Sequence, residues 1–380
     1  MKGFLAALAA FAAFAAFGAA AQTTVTPPPI AARAYILVDA LSGQTLAAAS
    51  EDDRFEPASL TKLMTAYIVF AALRDHRLDE NQAVTVSVKA SKARGSRMFL
   101  DPAHPATVHE LIQGLVVESG NDAAIALAEA VAGTEDEFVA LMNRQAERLG
   151  LANTHFANAG GEPAPDHHSS ARDLATLALA LIRDFPARYP VYSQKEFTYN
   201  RIAQANRNRL LWTDPTVDGL KTGFTEAAGY CLVASAKRGE RRLVSVLLGA
   251  RSDNLRTTES QKLLNFGFQA YETRRIYAKG KPVAEPQIYK GTQSHVPLGF
   301  MHDVWLTLPR DHFDGIKAVV QMRQPFVAPL AAGEKAGIMR LMRDHAPVAE
   351  FPVVALEDVP VAGFLSRGWD TLRLLVHSSP

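Results

Sequence analysis

The pattern of apolar residues changes near residue 275, and this change constrains the fold more than any other feature of the chain. Before it, helical periodicity alternates with short apolar runs typical of strands. After it, β-prone runs such as DVWLTLP, KAVVQM and EFPVVALEDV alternate with Pro and Gly turns. We therefore predict an α+β domain over residues 30–274 and a small all-β domain over residues 278–358.

The first of these regions contains start and stop signals for helices and strands. Residues 35–50 have the pattern of two strands around a Ser-Gly turn, and residues 230–250 that of a hairpin of two apolar strands. Thr107 and Glu110 have the spacing of a capping box, which predicts a helix that buries Leu111, Ile112, Leu115 and Val116. Further helices are expected over residues 121–133, over residues 134–150, from about residue 170, and over residues 254–271.

An apolar helical run begins with EPASLTK at residues 56–62. Ser59 and Lys62 lie three positions apart, so a helix brings both side chains to one face within hydrogen-bonding range. Pro57 favours a helix start that places Ser59 in the first turn, where unpaired backbone N–H groups gather. A serine there can act as a nucleophile if a neutral Lys62 takes its proton. Lowering a lysine pKa from about 10.4 to about 7 costs roughly 5 kcal/mol, so both burial and a nearby cation are required.

Two further short motifs follow in order along the chain. Ser119-Gly120-Asn121 lies at a predicted helix junction, where a hydroxyl can relay a proton and an amide can hold a substrate carbonyl. Lys221-Thr222-Gly223 lies on a predicted strand whose edge can pair with an extended substrate, and Lys221 supplies a second cation for Lys62. Each motif alone is common; the order and the contexts of the three together indicate a catalytic serine.

The three motifs together occur in class A β-lactamases and penicillin-binding proteins. The chain resembles the low-molecular-weight penicillin-binding proteins, the D-alanyl-D-alanine carboxypeptidases of the penicillin-binding protein 5/6 type (peptidase family S11). The segments EPASLTKLMTAY, ESGNDAAIALAE and VDGLKTGFTEAAGYCLVASA carry the likeness. It implies a β-lactamase/transpeptidase-like catalytic domain, an antiparallel sheet with helices, then a small all-β domain and a C-terminal amphipathic helix.

The resemblance also implies a reaction and residue roles. The penultimate D-Ala of a peptidoglycan stem pentapeptide acylates Ser59, terminal D-Ala is released, and water hydrolyses the acyl-enzyme. β-Lactam antibiotics are then expected to act as covalent inhibitors, and neither a cofactor nor a metal is expected. The implied catalytic residues are Ser59, Lys62 as the base, and Ser119; the implied substrate-binding residues are Asn121, Lys221, Thr222, Gly223, Phe224 and Arg256. The N–H groups of Ser59 and Phe224 would form the oxyanion hole, and Arg256 would face the terminal carboxylate.

The chain departs from the family pattern near the expected pocket. Gly161-Glu162 stands where the family commonly has Gly-Leu, and Phe224 stands where some relatives carry a polar residue. His167-His168 lies in the same loop as Glu162; without other ligands at zinc-like spacing, we expect an exposed pair.

Three other functions compete with the carboxypeptidase. A class A β-lactamase needs a glutamate for deacylation, and EFTYN at residues 196–200 superficially resembles its motif. That segment comes late in the chain, and Phe197 and Tyr199 alternate as in a strand. A D,D-endopeptidase would use the same residues. A non-catalytic cell-wall-binding module would not need Ser59 and Lys62 intact.

The two ends of the chain predict its location. Residues 1–21 combine Lys2, an apolar stretch and an Ala-x-Ala site, as in a cleaved signal peptide. Residues 360–377 have helical amphipathic spacing and are too short to span a bilayer, which favours a helix in the membrane interface over one docked on the second domain. We expect a periplasmic protein held on the outer face of the cytoplasmic (inner) membrane.

The net charge of +1 does not indicate a nucleic-acid partner. The single cysteine, Cys231, is expected to be a packed thiol.

Overall fold

The structure, a computed structural model, describes residues 25–364, 367–368 and 370–371. The described residues form two compact units, residues 26–271 and the residues from 272 onward. The predicted signal peptide lies outside the described residues, and so does half of the predicted tail helix. Across the described part of the chain, no helix combines the length and the apolar character that crossing a bilayer requires.

The first unit combines helices with an antiparallel sheet, as predicted. Its strands are β1 (Ala34–Asp39), β2 (Thr45–Ala49), β3 (Ala83–Val84), β4 (Ala106–Thr107), β5 (Glu196–Tyr199), β6 (Ile202–Ala205), β7 (Val217–Thr225), β8 (Gly229–Arg238) and β9 (Arg241–Ala250). Its helices are α1 (Lys62–Arg74), α2 (Val88–Ser91), α3 (Val108–Gln113), α4 (Asn121–Ala132), α5 (Glu135–Leu149), α6 (Ala171–Asp184), α7 (Leu210–Thr213) and α8 (Asp253–Ala270).

A five-stranded sheet in the order β2-β1-β9-β8-β7 separates two layers of helices. Successive side chains of a strand point to opposite faces, so one strand serves two cores. In β1, Ile36 belongs to the core that contains α1, α4 and α6, whereas Leu37 belongs to the core that contains α8. The predicted strand pair and hairpin are β1–β2 and β8–β9, and β7 lies at the edge of the sheet.

Helix α1 is enclosed on nearly every side. The sequence predicts one apolar stripe, but residues 62–70 are all buried in the structure. The prediction was too narrow because α1 lies in the centre of its helical layer, where α4, α5 and α6 contact it. Lys62, the first residue of α1, is therefore placed in the interior.

The predicted capping residues begin the helices that the sequence assigns to them. Thr107 and Glu110 form a complete capping box at the start of α3, and Thr134 accepts a hydrogen bond from the Glu137 N–H at the start of α5. The helix predicted after Thr107 is interrupted, because α3 ends at Gln113 and a π turn follows over Gly114–Glu118. Ser119 directly follows this turn.

Over residues 278–358 the second unit contains strands and no helix, as predicted. Its strands are β10 (Tyr271–Tyr277), β11 (Ile288–Tyr289), β12 (Leu298–Gly299), β13 (Val304–Pro309), β14 (Lys317–Met322), β15 (Phe326–Val327), β16 (Lys335–Arg343) and β17 (Ala346–Ala355). The largest sheet has the order β12-β17-β16-β14, and Leu298, Leu306 and Met339 lie in a separate hydrophobic core.

Candidate active site

Ser59 lies in a 3₁₀ turn, Ala58–Thr61, that leads directly into α1. The sequence placed Ser59 in the first turn of the α-helix itself; the structure gives it a tighter turn just before the helix, with Pro57 in the N-cap position. Ser59 is half-buried and lines a cleft of about 980 Å³. Its hydroxyl therefore lies where a ligand in the cleft can reach it.

Lys62 lies behind Ser59 and is 1% exposed. Its Nζ lies 3.1 Å from Ser59 Oγ, 2.6 Å from Asn121 Oδ1 and 2.5 Å from the Gly160 carbonyl oxygen. The amide and carbonyl oxygens can only accept hydrogen bonds. In a neutral amine they take both N–H groups, which leaves the lone pair for the Ser59 hydroxyl. The arrangement thus suits a base for Ser59.

The surroundings of Lys62 favour its neutral form. Burial lowers the pKa of Lys62 to about 7; the carboxylates of Glu162 and Asp122 act in the opposite direction, and the Arg207 guanidinium lowers it further. The sequence predicts Lys221 as the opposing cation. The cation that lowers the pKa of Lys62 is instead Arg207, which the sequence did not single out.

Lys221 is a second buried amine, on β7. Its Nζ donates to Ser119 Oγ at 2.8 Å and to the Thr222 carbonyl oxygen at 3.0 Å. Burial holds the pKa of Lys221 well below its usual range, and the charge of Lys62 lowers it further. Lys62 therefore disfavours the protonated form of Lys221.

Ser119 occupies a strained junction between the π turn and α4. Its φ of 68° and ψ of 33° are left-handed, which costs a non-glycine residue about 1 kcal/mol. Such strain persists where surrounding contacts fix it, often at functional sites. Here the conformation directs Ser119 Oγ to Lys221 and leaves Ser119 on the cleft wall.

Asn121, the first residue of α4, joins the Lys62 environment to the cleft. Its Oδ1 accepts from Lys62, and its Nδ2 donates to the Arg94 carbonyl oxygen at 2.7 Å. An amide nitrogen has two hydrogens, so one N–H of Asn121 remains for a ligand.

The edge strand β7 forms one wall of the cleft. A Cβ added at Gly223 would lie 3.1 Å from the Pro57 carbonyl oxygen, so a glycine lets β7 pack closely against the Ser59 turn. Thr222, Gly223 and Phe224 line the cleft, and the Phe224 side chain is 50% exposed. Its ring lies 4.4 Å from the ring of Tyr230.

Arg256 reaches the same cleft from α8. Its guanidinium forms an ion pair with Asp253 at 2.5 Å and lies 3.3 Å from the Gly223 carbonyl oxygen. Seven of the nine predicted site residues thus line the cleft, and the other two, Lys62 and Lys221, lie buried behind it.

Sequence reasoning missed several residues of the site. Arg207 and Glu118 form an ion pair at 2.7 Å, and burial raises the pKa of Glu118. The loop containing Ser96, Arg97 and Phe99 forms another wall of the cleft. Glu118 stands beside the second motif, but no spacing rule joins it to an arginine 89 residues away. Only a fold can bring them together.

The loop that departs from the family pattern lies against the Ser59 turn. Asn158 Oδ1 accepts from the N–H groups of Gly161 and Glu162, and Asn158 Nδ2 donates to the Glu162 carbonyl oxygen. Gly161 has a φ of 88°, and a Cβ there would lie 1.8 Å from the Ala58 carbonyl oxygen. Both the left-handed backbone and the close approach require glycine. They place Glu162 on the cleft wall.

The expectation of an exposed His167-His168 pair was wrong for His167, which is 4% exposed. Its imidazole lies 2.9 Å from Thr61 Oγ1 and edge-on to Phe156, and burial lowers its pKa to about 4. Because the loop folds back under the Ser59 turn, the ring packs inside the protein. His167 therefore supports the turn.

The β-lactamase-like segment at residues 196–200 lies away from the cleft. Glu196 is exposed on β5, whereas Phe197 and Tyr199 are buried, as their alternation predicted. Glu196 is not part of the cleft wall. Cys231 is fully buried in β8, and burial raises its pKa to about 11, which confirms a packed thiol.

Comparison with known proteins agrees with this geometry. The family model for D-alanyl-D-alanine carboxypeptidase, peptidase S11, matches residues 21–252, and that for the C-terminal domain of penicillin-binding protein 5 matches residues 271–361. D-alanyl-D-alanine carboxypeptidase DacC of Escherichia coli is 42% identical over 366 residues, which cover 94% of this chain and 92% of that protein.

Solved structures show the same fold. Penicillin-binding protein 5 from Haemophilus influenzae is 40% identical with a TM-score of 0.85, covering 88% of this chain and 99% of that one. Penicillin-binding protein D2 from Listeria monocytogenes, solved in an ampicillin-bound form, is 29% identical with a TM-score of 0.60, covering 64% of this chain and 100% of that one. With three motifs meeting at one cleft, the chain belongs to the peptidase S11 family of D-alanyl-D-alanine carboxypeptidases.

Proposed function

We propose that this chain is a serine-type carboxypeptidase that removes the terminal D-alanine from peptidoglycan stem pentapeptides through an acyl-enzyme on Ser59. The observation that carries the proposal is the 3.1 Å contact between Ser59 Oγ and the buried amine of Lys62, which has a pKa of about 7. Ser59 Oγ attacks the carbonyl carbon of the penultimate D-Ala while Lys62 Nζ takes its proton. The N–H groups of Ser59 and Phe224 stabilise the oxyanion.

The second amine serves the leaving group. When the tetrahedral intermediate collapses, its C–N bond breaks and the departing D-Ala nitrogen must receive a proton. Ser119 lines the cleft and contacts Lys221 at 2.8 Å, so its hydroxyl is placed to pass a proton to that nitrogen. Water then attacks the ester carbonyl, one of its protons is transferred to Ser59 Oγ, and the bond between the carbonyl carbon and Ser59 Oγ breaks.

Substrate placement follows from the walls of the cleft. An extended peptide pairs with the free edge of β7 at Thr222 and Gly223. Arg256 binds the terminal carboxylate, a planar anion that suits a guanidinium. The remaining N–H of Asn121 holds the carbonyl of the acyl part. We also propose that β-lactams acylate Ser59, since a relative with the same fold is described bound to ampicillin.

The direct test measures D-Ala release from Nα,Nε-diacetyl-L-Lys-D-Ala-D-Ala, with mass spectrometry of the protein after exposure to ampicillin. We expect release and a single adduct on Ser59, and neither in the Ser59→Ala variant. A correctly folded protein with no adduct and no release is a cell-wall-binding module instead. Rapid turnover of ampicillin without D-Ala release identifies a β-lactamase, and cleavage confined to cross-linked peptides identifies an endopeptidase.

We further propose that the chain is exported to the periplasm and held on the outer face of the inner membrane. The leader at residues 1–21 supports export, and the substrate lies outside the cytoplasm. The tail at residues 360–377 supports interfacial binding, because its apolar residue Phe364 is 81% exposed. The polar residue Asp370 is instead turned toward the protein, where its carboxylate accepts a hydrogen bond from the Lys290 N–H. Flotation with anionic vesicles tests the tail. A variant that ends at residue 361 should remain unbound.

A further inference from the structure

Three carboxylates line the cleft, and one of them differs from the others. Glu118 is paired with Arg207 at 2.7 Å, and Asp253 is paired with Arg209 at 2.7 Å. Across the described part of the chain, no ion pair or hydrogen bond involves the carboxylate of Glu162, although its backbone is held on both sides. A half-buried carboxylate on a rigid segment, without a partner, can bind a cation from a ligand.

Glu162 lies on the side of the cleft that the acyl part of a peptide must occupy. The segment 160–162 contacts Lys62, Ala58 and Asn121. Arg256 contacts a different set, which includes Gly223 and Asp253.

The direction of the bound substrate peptide follows from the separate positions of residues 160–162 and Arg256. Under the proposed function, only one residue lies between the scissile carbonyl and the carboxylate on Arg256. The rest of the peptide therefore extends past Asn121 toward residues 160–163.

The charge of Glu162 is unfavourable for the base, Lys62. Its charge favours the protonated form of Lys62, whereas the reaction requires the neutral form. An apolar residue at this position has no such effect. The carboxylate opposes the base, so its benefit must lie in another step, and the cleft wall offers substrate binding.

We propose that Glu162 is a specificity-determining residue that binds the side-chain ammonium of the residue preceding the penultimate D-Ala. This inference rests on the proposed carboxypeptidase function and adds a preference: peptides with a free amine at that residue are better substrates than acylated ones. The other polar groups of the segment are used internally, by Asn158 and Lys62. The ammonium pairs with the carboxylate, while Ser59 and Lys62 carry out the proton transfer.

The test compares two peptides that differ by one acetyl group, Nα-acetyl-L-Lys-D-Ala-D-Ala and its Nα,Nε-diacetyl form. For the native protein we expect kcat/KM to be about fivefold higher for the free amine, the size that a partly exposed ion pair provides. The preference should appear in KM and shrink in 0.5 M NaCl. In the Glu162→Gln and Glu162→Leu variants the ratio should fall to about one. Glu196→Gln, which changes an exposed glutamate outside the cleft, should keep the native ratio.

Three results would overturn the inference. Equal kcat/KM for the two peptides in the native protein removes the preference. A ratio that survives in Glu162→Gln assigns the preference to another residue. Equal loss on both peptides in Glu162→Gln, with accumulated acyl-enzyme, assigns Glu162 to deacylation instead. Absence of D-Ala release from both peptides overturns the proposed function itself, a result distinct from release at equal rates.

Discussion

The chemistry of this protein depends on one lysine kept neutral inside an apolar layer. Lys62 is surrounded by buried residues of α1, and its two N–H groups have acceptors in Asn121 and Gly160. Removing an ammonium from water is unfavourable, so the fold lowers the pKa to about 7. A base with that pKa is substantially deprotonated at neutral pH and can still accept a proton.

Acylation should therefore depend on pH through Lys62. The neutral amine is the active form, so the second-order rate constant for acylation by a fluorescent penicillin should fall about tenfold per unit below a pH of about 7. Stopped-flow measurement between pH 5 and 8 checks this. A rate constant that stays level down to pH 5 would contradict a lysine base.

Arg207 should affect the pH dependence of the acylation rate constant. Its charge lowers the pKa of Lys62, so the Arg207→Gln variant should move the acid limb to higher pH. The same change removes the ion-pair partner of Glu118, whose carboxylate favours the protonated form of Lys221. Arg207→Lys keeps a charge at this position and should retain most of the native profile. The pH dependence of the acylation rate distinguishes the two variants.

The sequence predicts the reacting groups better than the groups that tune them. Ser59 and Lys62 lie in one motif whose spacing implies contact, and the structure places them 3.1 Å apart. Ser119 and Lys221 are each predicted from a motif of their own, and the fold brings them within 2.8 Å. Glu118 and Arg207 meet only because the π turn lies beside the chain segment after β6. Partners that distant carry no periodic signal, so the electrostatics of the site required the fold.

Among local elements, the loop around Gly161 is the most tightly constrained. Gly161→Ala should reduce the free energy of unfolding by about 3 kcal/mol or more, because the new Cβ would overlap the Ala58 carbonyl oxygen. It should also slow acylation by displacing the Ser59 turn. Urea unfolding and penicillin acylation measure the two effects.

Gly133 provides the matched control for this substitution. Its φ of 84° is close to the 88° of Gly161, but nothing lies within 4 Å of an added Cβ. Gly133→Ala should lower the free energy of unfolding by only about 1 kcal/mol, because a left-handed backbone is unfavourable for alanine. The acylation rate should be unchanged. Equal effects of the two substitutions would show that the contact with Ala58 is unimportant.

His167 should make the stability of this loop depend on pH. Its folded pKa of about 4 lies below the usual 6.5, so the unfolded chain binds the proton more readily between these values. The free energy of unfolding should fall as pH drops from 6.5 to 4, by up to about 3 kcal/mol from this group. His167→Gln keeps a hydrogen-bonding group beside Thr61 and should show a weaker dependence in urea unfolding at pH 7 and 4.5. Identical slopes for both proteins would contradict this assignment.

The loop also shows where local sequence patterns lose their information. Capping boxes and hairpins depend on neighbouring residues, so Thr107 and the β8–β9 turn were predicted correctly. The burial of His167 depends on a turn 106 residues away, and the all-round burial of α1 depends on three other helices. Neither is encoded in a short window.

At the scale of the whole molecule, the two units have separate hydrophobic cores. The cores of residues 26–271 contain α1, α6 and α8, whereas Leu298 and Met339 belong to the other unit. The Listeria protein aligns over its full length with 64% of this chain, which is evidence that a fold of this kind exists without a second domain.

A fragment of residues 25–272 should therefore fold and react with penicillin. It retains Tyr271, whose carbonyl oxygen accepts from Arg241. We expect acylation within about twofold of the full chain, because every cleft residue is present. Stopped-flow acylation and thermal unfolding check this. A soluble fragment that reacts more than tenfold slower would show that the second unit contributes to the reaction.

The change of pattern near residue 275 was visible in the sequence because strands and helices have different periods. The pairing of β12 with β17 was not, since 55 to 57 residues separate the paired positions and many short apolar runs could pair.

The concealment of both amines has an evolutionary consequence. Lys62 and Lys221 lie behind the cleft wall, whereas Glu162, Phe224 and Arg97 form its surface. Inhibitors and natural ligands thus meet this surface together with Ser59 and Ser119, while the two lysine amines stay out of their reach. Substitutions at these surface residues can therefore change the affinity for inhibitors or substrates while the reaction itself is retained.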